Sequence, residues 1–124
     1  MAFRFESLEI WQLAVTFAGK IYDLTDKLPK DEIFGLSSQL KRAATSISMN
    51  IAEGSGRSSA REFAHYLQIS NGSIFEIITA LVIARNRKFL KTEHYTAIYA
   101  DAEILTKKIT MFRKTILSKG IATL

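Results

Sequence analysis

Residues 39–57 read QLKRAATSISMNIAEGSGR, and the periodicity of this stretch decides the fold. Written as a helix, Leu36, Leu40, Ala43, Ala44, Ile47, Ile51 and Gly54 recur three and four apart, the spacing of one buried face. Gln39, Arg42, Ser46, Asn50 and Glu53 run beside them at the same spacing and form a polar ridge. The residues left over, Thr45, Ser48 and Ala52, are small. A helix with so little bulk lets neighbouring backbones come close. A polar ridge flanking a core is either hydrogen-bonded inside the fold or assembly, or it meets a polar partner. The first is the expectation for Arg42, Asn50 and Glu53. Gly54 and Gly56 read as the helix stop, because glycine takes positive φ without a Cβ penalty.

Working outward, the chain before this stretch predicts a helix from Ser7 to Lys27. Trp11, Ala14, Ala18, Ile21 and Thr25 form one heptad-like seam, flanked by Val15 and Tyr22. Ile10, Leu13, Phe17 and Leu24 form a second. Apolar residues thus take more than half the circumference, wider than one bundle core needs. Either the helix is deeply buried or the second seam meets another subunit, and the second is the expectation. Pro29 breaks the chain, and Asp31 or a neighbour caps the next helix.

After residue 57, Ser59 and Glu62 have capping-box spacing and open a helix that runs to about Arg87. Phe63, Tyr66, Leu67, Ser70, Ile74, Ile77, Ile78, Leu81 and Ala84 make its core seam. Phe75, Val82 and Ile83 lie on the far side and extend the expected oligomer interface of Ile10, Leu13, Phe17 and Leu24. Gly72, mid-helix, costs about 1 kcal/mol relative to alanine and marks either a close helix approach or a kink. The last helix begins near Thr92, as its N-cap, and carries Tyr95, Ile98, Ala102, Leu105, Ile109, Phe112 and Ile116 three and four apart. Four amphipathic helices with short connections predict an all-α, antiparallel up-down-up-down four-helix bundle, one domain over residues 1–124.

The composition bounds the chemistry. With 124 residues, 48% of them hydrophobic, the chain suits a single packed core. It has no cysteine, so neither a disulfide framework nor a thiolate centre is available. The opening MAFRFESLEI shows no signal-peptide pattern, and no apolar run approaches the ~20 residues that span a bilayer. A soluble cytoplasmic protein with no membrane partner is expected. His65 and His94 are in no metal-ligand spacing, and Glu53, Glu62 and Glu76 do not make the paired Glu-x-x-His pattern of di-iron bundles. Without a nucleophile motif either, the reading is a non-catalytic protein with no metal and no cofactor.

Seventeen basic against twelve acidic residues leave a formal charge of +5, which favours polyanionic partners, nucleic acid above all. Lys107, Lys108, Arg113, Lys114 and Lys119 follow Glu103 with no further acid, and Arg57, Arg61 and Arg4 are expected at the same end. Arg57, Arg61, Lys107, Lys108, Arg113 and Lys114 are therefore the candidate nucleic-acid-binding residues, acting on phosphates without base readout. A second group, Arg85, Arg87, Lys88 and Lys91, surrounds the third turn, with Lys27 and Lys30 at that end. Helix-dipole complementation and a solvated face explain such charges equally well. The loop Gly54-Ser55-Gly56-Arg57-Ser58-Ser59 offers a phosphate cradle, though a glycine stop and a serine cap account for the same residues.

Ser46-Ile47 with Asn50-Ile51-Ala52-Glu53-Gly54 and Arg57 resembles the signature of a bacterial family, the four-helix-bundle proteins encoded in intervening sequences of 23S ribosomal RNA genes. Trp11, Tyr22, Leu28-Pro29, Glu32, Gly35-Leu36 and Gln39 to Ala43 match upstream, and Glu62-Phe63 and Gly72 to Glu76 match downstream. Leu28, Ser48 and Lys41 stand where the family often has Phe, Pro and Arg. The resemblance implies a four-helix bundle and a homopentamer, and no established reaction. It also draws in a relative, the accessory protein of diversity-generating retroelements, which looks like a basic pentamer serving nucleic acid and a reverse transcriptase. The functional expectation is an oligomeric scaffold that binds RNA or DNA, structured RNA in particular. The competing class is a protein-interaction module whose ridge and second seams bind a protein partner.

Overall fold

A 3-10 turn over Arg4–Ser7 leads into α1 (Glu9–Thr25), which is followed by α2 (Leu36–Ser55), α3 (Ala60–Asn86) and α4 (Thr92–Lys119). The structure, a computed structural model, describes residues 2–123. Among these residues there is no strand. The helices pack in the ring α1–α2–α3–α4–α1.

Side-chain contacts fix the directions. Ser70 Oγ donates to the Ile47 carbonyl at 2.9 Å and Ser73 Oγ to Ser46 Oγ at 3.0 Å, so α2 and α3 run oppositely. Asn71 Oδ1 accepts from Thr106 at 2.7 Å while Arg113 reaches the Ala64 carbonyl, so α3 and α4 do too. Glu9 meets Lys108 and Lys20 meets Asp101, which makes α1 and α4 antiparallel.

One apolar core joins all four helices. It includes Ala14 and Ile21 of α1, Leu40, Ala44, Ile47 and Ile51 of α2, Phe63, Leu67, Ile77 and Leu81 of α3, and Ile109 and Ile116 of α4. Each large side chain so buried contributes about 1.5–3 kcal/mol over leaving it in water. α3 carries an 18-residue window of mean hydropathy 1.5, long and apolar enough to cross a membrane, contrary to the expectation of no such run. Its apolar side goes into the core between α2 and α4.

The first helix corrects the two-seam reading. Ile10, Phe17 and Leu24 are buried in the chain's own core, at 3%, 3% and 4% exposure, and cannot face another subunit. Leu13 is half-buried against the same core. The inward stripe is Ile10, Ala14, Phe17, Ile21 and Leu24, drawn from both seams. Val15 and Tyr22 point outward instead.

Two caps and a glycine also differ. Asp31 lies in a 3-10 turn, Lys30–Glu32, and the N-cap of α2 is Gly35, with Glu32 Oε1 accepting from the Leu36 N–H at 3.2 Å. Thr92 is already helical; the N-cap of α4 is Lys91, in extended conformation and with no side-chain cap bond. Ser59 does cap α3, its hydroxyl accepting from the Glu62 N–H at 3.2 Å. Gly54 and Gly56 do not stop α2 by positive φ. Gly54 is inside the helix, and Gly56 has φ −87°. Gly54 is needed for space: a Cβ there would stand 2.7 Å from Tyr66 Cβ and 2.8 Å from Phe63 Cδ1.

Candidate nucleic-acid interface

The six basic residues singled out from the sequence have different fates. Arg57 donates to Glu53 Oε1 at 3.1 Å and to the Tyr66 hydroxyl, with its guanidinium 4.9 Å from the Tyr66 ring centre. It braces the end of α2 against α3. Arg113 is half-buried and donates from Nε to the Ala64 carbonyl at 3.0 Å, tying α4 to α3. Lys108 pairs with Glu9 at 3.2 Å. These three are committed within the chain, and Arg57 and Arg113 are taken from the expected phosphate-contacting set by their own packing. Arg61, Lys107 and Lys114 are exposed, and among the described residues none has an ion pair. Lys107 and Lys114, seven residues apart, share one face of α4.

Arg57, Arg61, Arg113 and Lys114 lie toward the end of the bundle where α2 finishes, α3 begins and α4 finishes, whereas Lys107 and Lys108 sit between Thr106 and Thr110, which bond Asn71 midway along α3. Arg4 donates to the Ser55 carbonyl and brings the N-terminal segment to the end of α2 as well. Helix α4 turns its buried stripe, Ile98, Ala102, Leu105, Ile109 and Ile116, into the core. Lys107 and Lys114 are thereby left on its outer side, while Arg113 and Lys108 flank it toward α3 and α1.

The polar ridge divides. Asn50 Nδ2 donates to the Ser46 carbonyl at 2.8 Å and to Ser46 Oγ at 3.0 Å, and Ser73 completes the set from α3. That half is structural within one chain. Glu53 holds Arg57. Gln39 and Arg42 are exposed at the other half, where with Gly72 and Glu76 they border an open groove between α2 and α3. Gly72 has nothing within 4 Å of a would-be Cβ, so within the chain no helix approaches it.

Beyond Val15 and Tyr22 of the first helix, exposed apolar side chains lie on the other elements. Phe75 is 60% exposed and Ile83 is also outward, while Val82 is half-buried. Phe34 is 96% exposed, beside an exposed Ile33 in the α1–α2 connection. Periodicity does not pick out this pair. Two apolar residues between Glu32 and Gly35, outside any periodic run, are the signal that could have found it.

At the opposite end from Arg61, the end of α1, the α3–α4 turn and the start of α4 surround an open cleft of about 620 Å³. Lys27, Arg85, Lys88, Lys91 and His94 line it, over Phe89 and Leu90. The Arg85 guanidinium stacks 4.2 Å from the Tyr95 ring centre. The Arg87 guanidinium lies 5.7 Å from the Phe89 ring centre. The sequence groups these cations by nearness, but which of them share a cleft depends on where α1 ends against the α3–α4 turn. Among the described residues no three His, Cys, Asp or Glu side chains converge as metal ligands would.

The fold has a counterpart among solved structures. A crystal structure of a protein of unknown function from the S23 ribosomal protein family of Bacteroides thetaiotaomicron is similar, with a TM-score of 0.78 and 26% identity over 86% of this chain and 99% of that one. No functionally curated protein matches. Residues 6–111 match the 23S rRNA-intervening sequence protein family, a span that includes Trp11, the ridge of α2 and all of α3. The chain belongs to that family.

Proposed function

We propose that this protein is a non-catalytic, oligomeric four-helix scaffold of the cytoplasm, a homopentamer, that holds structured RNA through backbone phosphates. The observation that carries the reading is charge without internal partners. The chain has a formal charge of +5, and the described residues contain three ion pairs. Arg61, Lys107 and Lys114 stay exposed and outside those pairs. Such residues release counterions on binding a polyanion, and repetition around a ring would add weak contacts by avidity. The family's name ties its members to ribosomal RNA genes, which favours RNA over DNA as the first ligand to test.

The test is an RNA and DNA titration at several salt concentrations, with the parent and an Arg61→Gln, Lys107→Gln, Lys114→Gln variant. Log affinity should fall linearly with log salt, and the slope should shrink by about 0.7–0.9 for each phosphate-binding cation removed. Base identity should matter little. A flat salt response rejects the phosphate reading. The second reading, a protein-interaction module, is favoured by the aromatic surface that Phe34 and Phe75 leave exposed. It would be preferred if neither nucleic acid bound at low salt.

A further inference from the structure

The basic cleft at the α3–α4 turn is not explained by the fold alone. Four cations, Lys27, Arg85, Lys88 and Lys91, line one concavity, and no carboxylate lines it with them. Among the described residues none of the four is in an ion pair. Like charges that share one cleft repel one another, and a counter-charge from outside relieves that repulsion. Helix-dipole complementation accounts for Arg85, in the last turn of α3, and for Lys88, just past it. It fails for Lys91, which is the N-cap of α4 and so sits at the positive end of that helix, where a cation is disfavoured.

Lys88 has φ 63°, the one positive φ of a non-glycine residue among the described positions. A lysine in this left-handed conformation is less favourable than glycine or asparagine there. That conformation has a structural reason: it closes α3, with the Lys88 N–H donating to the Arg85 carbonyl at 2.9 Å and the Phe89 N–H to the Ala84 carbonyl at 2.8 Å. Lys91 at a helix N-terminus has no such internal gain, and a local rule broken without one marks a functional position.

We infer that the cleft binds neighbouring phosphate groups of one ligand. A single phosphate carries at most about two negative charges near neutral pH, fewer than the four cations offered. Two or more linked phosphates match the set better. The volume, about 620 Å³, lies in the range of specific ligand sites. Arg85 is held in place by its stacking on Tyr95, so one binding group is already oriented. Lys27 follows α1, so the ligand would join the end of α1 to the α3–α4 turn. The phosphates come from a nucleic-acid strand if the proposed function is right, on which this assignment of source rests, and from a free oligophosphate otherwise.

The experiment titrates the full chain with inorganic pyrophosphate alone and, separately, with RNA at several salt concentrations. A Lys27→Gln, Lys88→Asn, Lys91→Gln variant is compared with the parent; Arg85 is left intact because it packs on Tyr95. Asparagine suits the left-handed backbone at position 88. Melting curves check that the variant is folded. Should it melt early, Lys91→Gln alone, at the exposed start of α4, carries the same test with about a third of the effect.

The expected result is pyrophosphate binding that weakens at least about tenfold in the variant, together with an RNA salt slope smaller by about 2 to 3. RNA binding by the parent with an unchanged slope in the folded variant, and no pyrophosphate binding, overturns the cleft and leaves the proposed function standing. Pyrophosphate binding abolished in the variant, with no RNA binding by the parent at low salt, upholds the cleft and rejects the RNA reading. Absence of both overturns both.

Discussion

Two glycines in helix interiors make opposite demands, and substituting each with alanine measures the α2–α3 contact directly. Gly54→Ala puts a Cβ 2.7 Å from Tyr66 Cβ and 2.8 Å from Phe63 Cδ1. Tyr66 Cβ is fixed to the α3 backbone, and Phe63 is fully buried, so neither can swing away. The helices must part, at a cost of about 1–3 kcal/mol for overpacking. Gly72→Ala meets nothing within 4 Å and gains up to about 1 kcal/mol of helix propensity. Gly54 gains a similar propensity term, less fully because it lies in the last turn of α2. The difference between the two variants therefore isolates packing, at about 1–3 kcal/mol. For a chain of this length 1 kcal/mol moves Tm by about 3–5 °C. Gly54→Ala should thus melt about 3–15 °C below Gly72→Ala, at one protein concentration so that assembly does not confound the comparison. Equal Tm values for the two variants would refute the close approach at Gly54. A Gly72→Ala variant that loses stability or mass would show that a neighbour from outside the chain packs on that groove.

Asn50→Ala should lower stability by about 0.5–1.5 kcal/mol, from the two bonds to Ser46, and leave RNA affinity at fixed salt unchanged. A variant that melts like the parent but no longer binds RNA would make the ridge a recognition surface. Phe34→Ser should leave the fold within about 0.5 kcal/mol of the parent, because the side chain is 96% exposed. It should lower the sedimenting mass at micromolar concentration if the connection between α1 and α2 contributes to self-association. Identical masses would exclude Phe34 from the interface.

How far the sequence can be read depends on how narrow each apolar stripe is. In α2 the stripe is narrow and its neighbours are small, so every residue assigned inward is buried except Leu36, which is half-buried. In α1 the apolar residues cover too much of the circumference for periodicity to choose an angle. Periodicity alone leaves Ile10, Phe17 and Leu24 free to face outward, and the packing of α1 between α2 and α4 turns them in. The fate of each arginine is equally hidden. Arg113 finds the Ala64 carbonyl 49 positions away, and nothing local announces that partner. Helix starts are legible where the N-cap's own side chain does the capping, as at Ser59, and not where the N-cap residue makes no such bond, as at Gly35 and Lys91.

The ring of helices is closed by unequal joints. Between α2 and α3 lie a buried hydroxyl bridge from Ser70 and the tight passage at Gly54, both out of water. Between α1 and α4 the polar links are two solvent-exposed ion pairs, Lys20–Asp101 and Lys108–Glu9, of a kind worth about 0–1 kcal/mol each. The joint between α1 and α4 is therefore the one expected to open more readily, and α1 and α4 should exchange their amide hydrogens before α2 and α3. The basic cleft lies across that weaker joint, with Lys27 past the end of α1 and Lys91 at the start of α4. A polyanion seated there acts as a clasp: it draws together the two helices that the chain holds least firmly, and occupancy of the cleft becomes protection of α1.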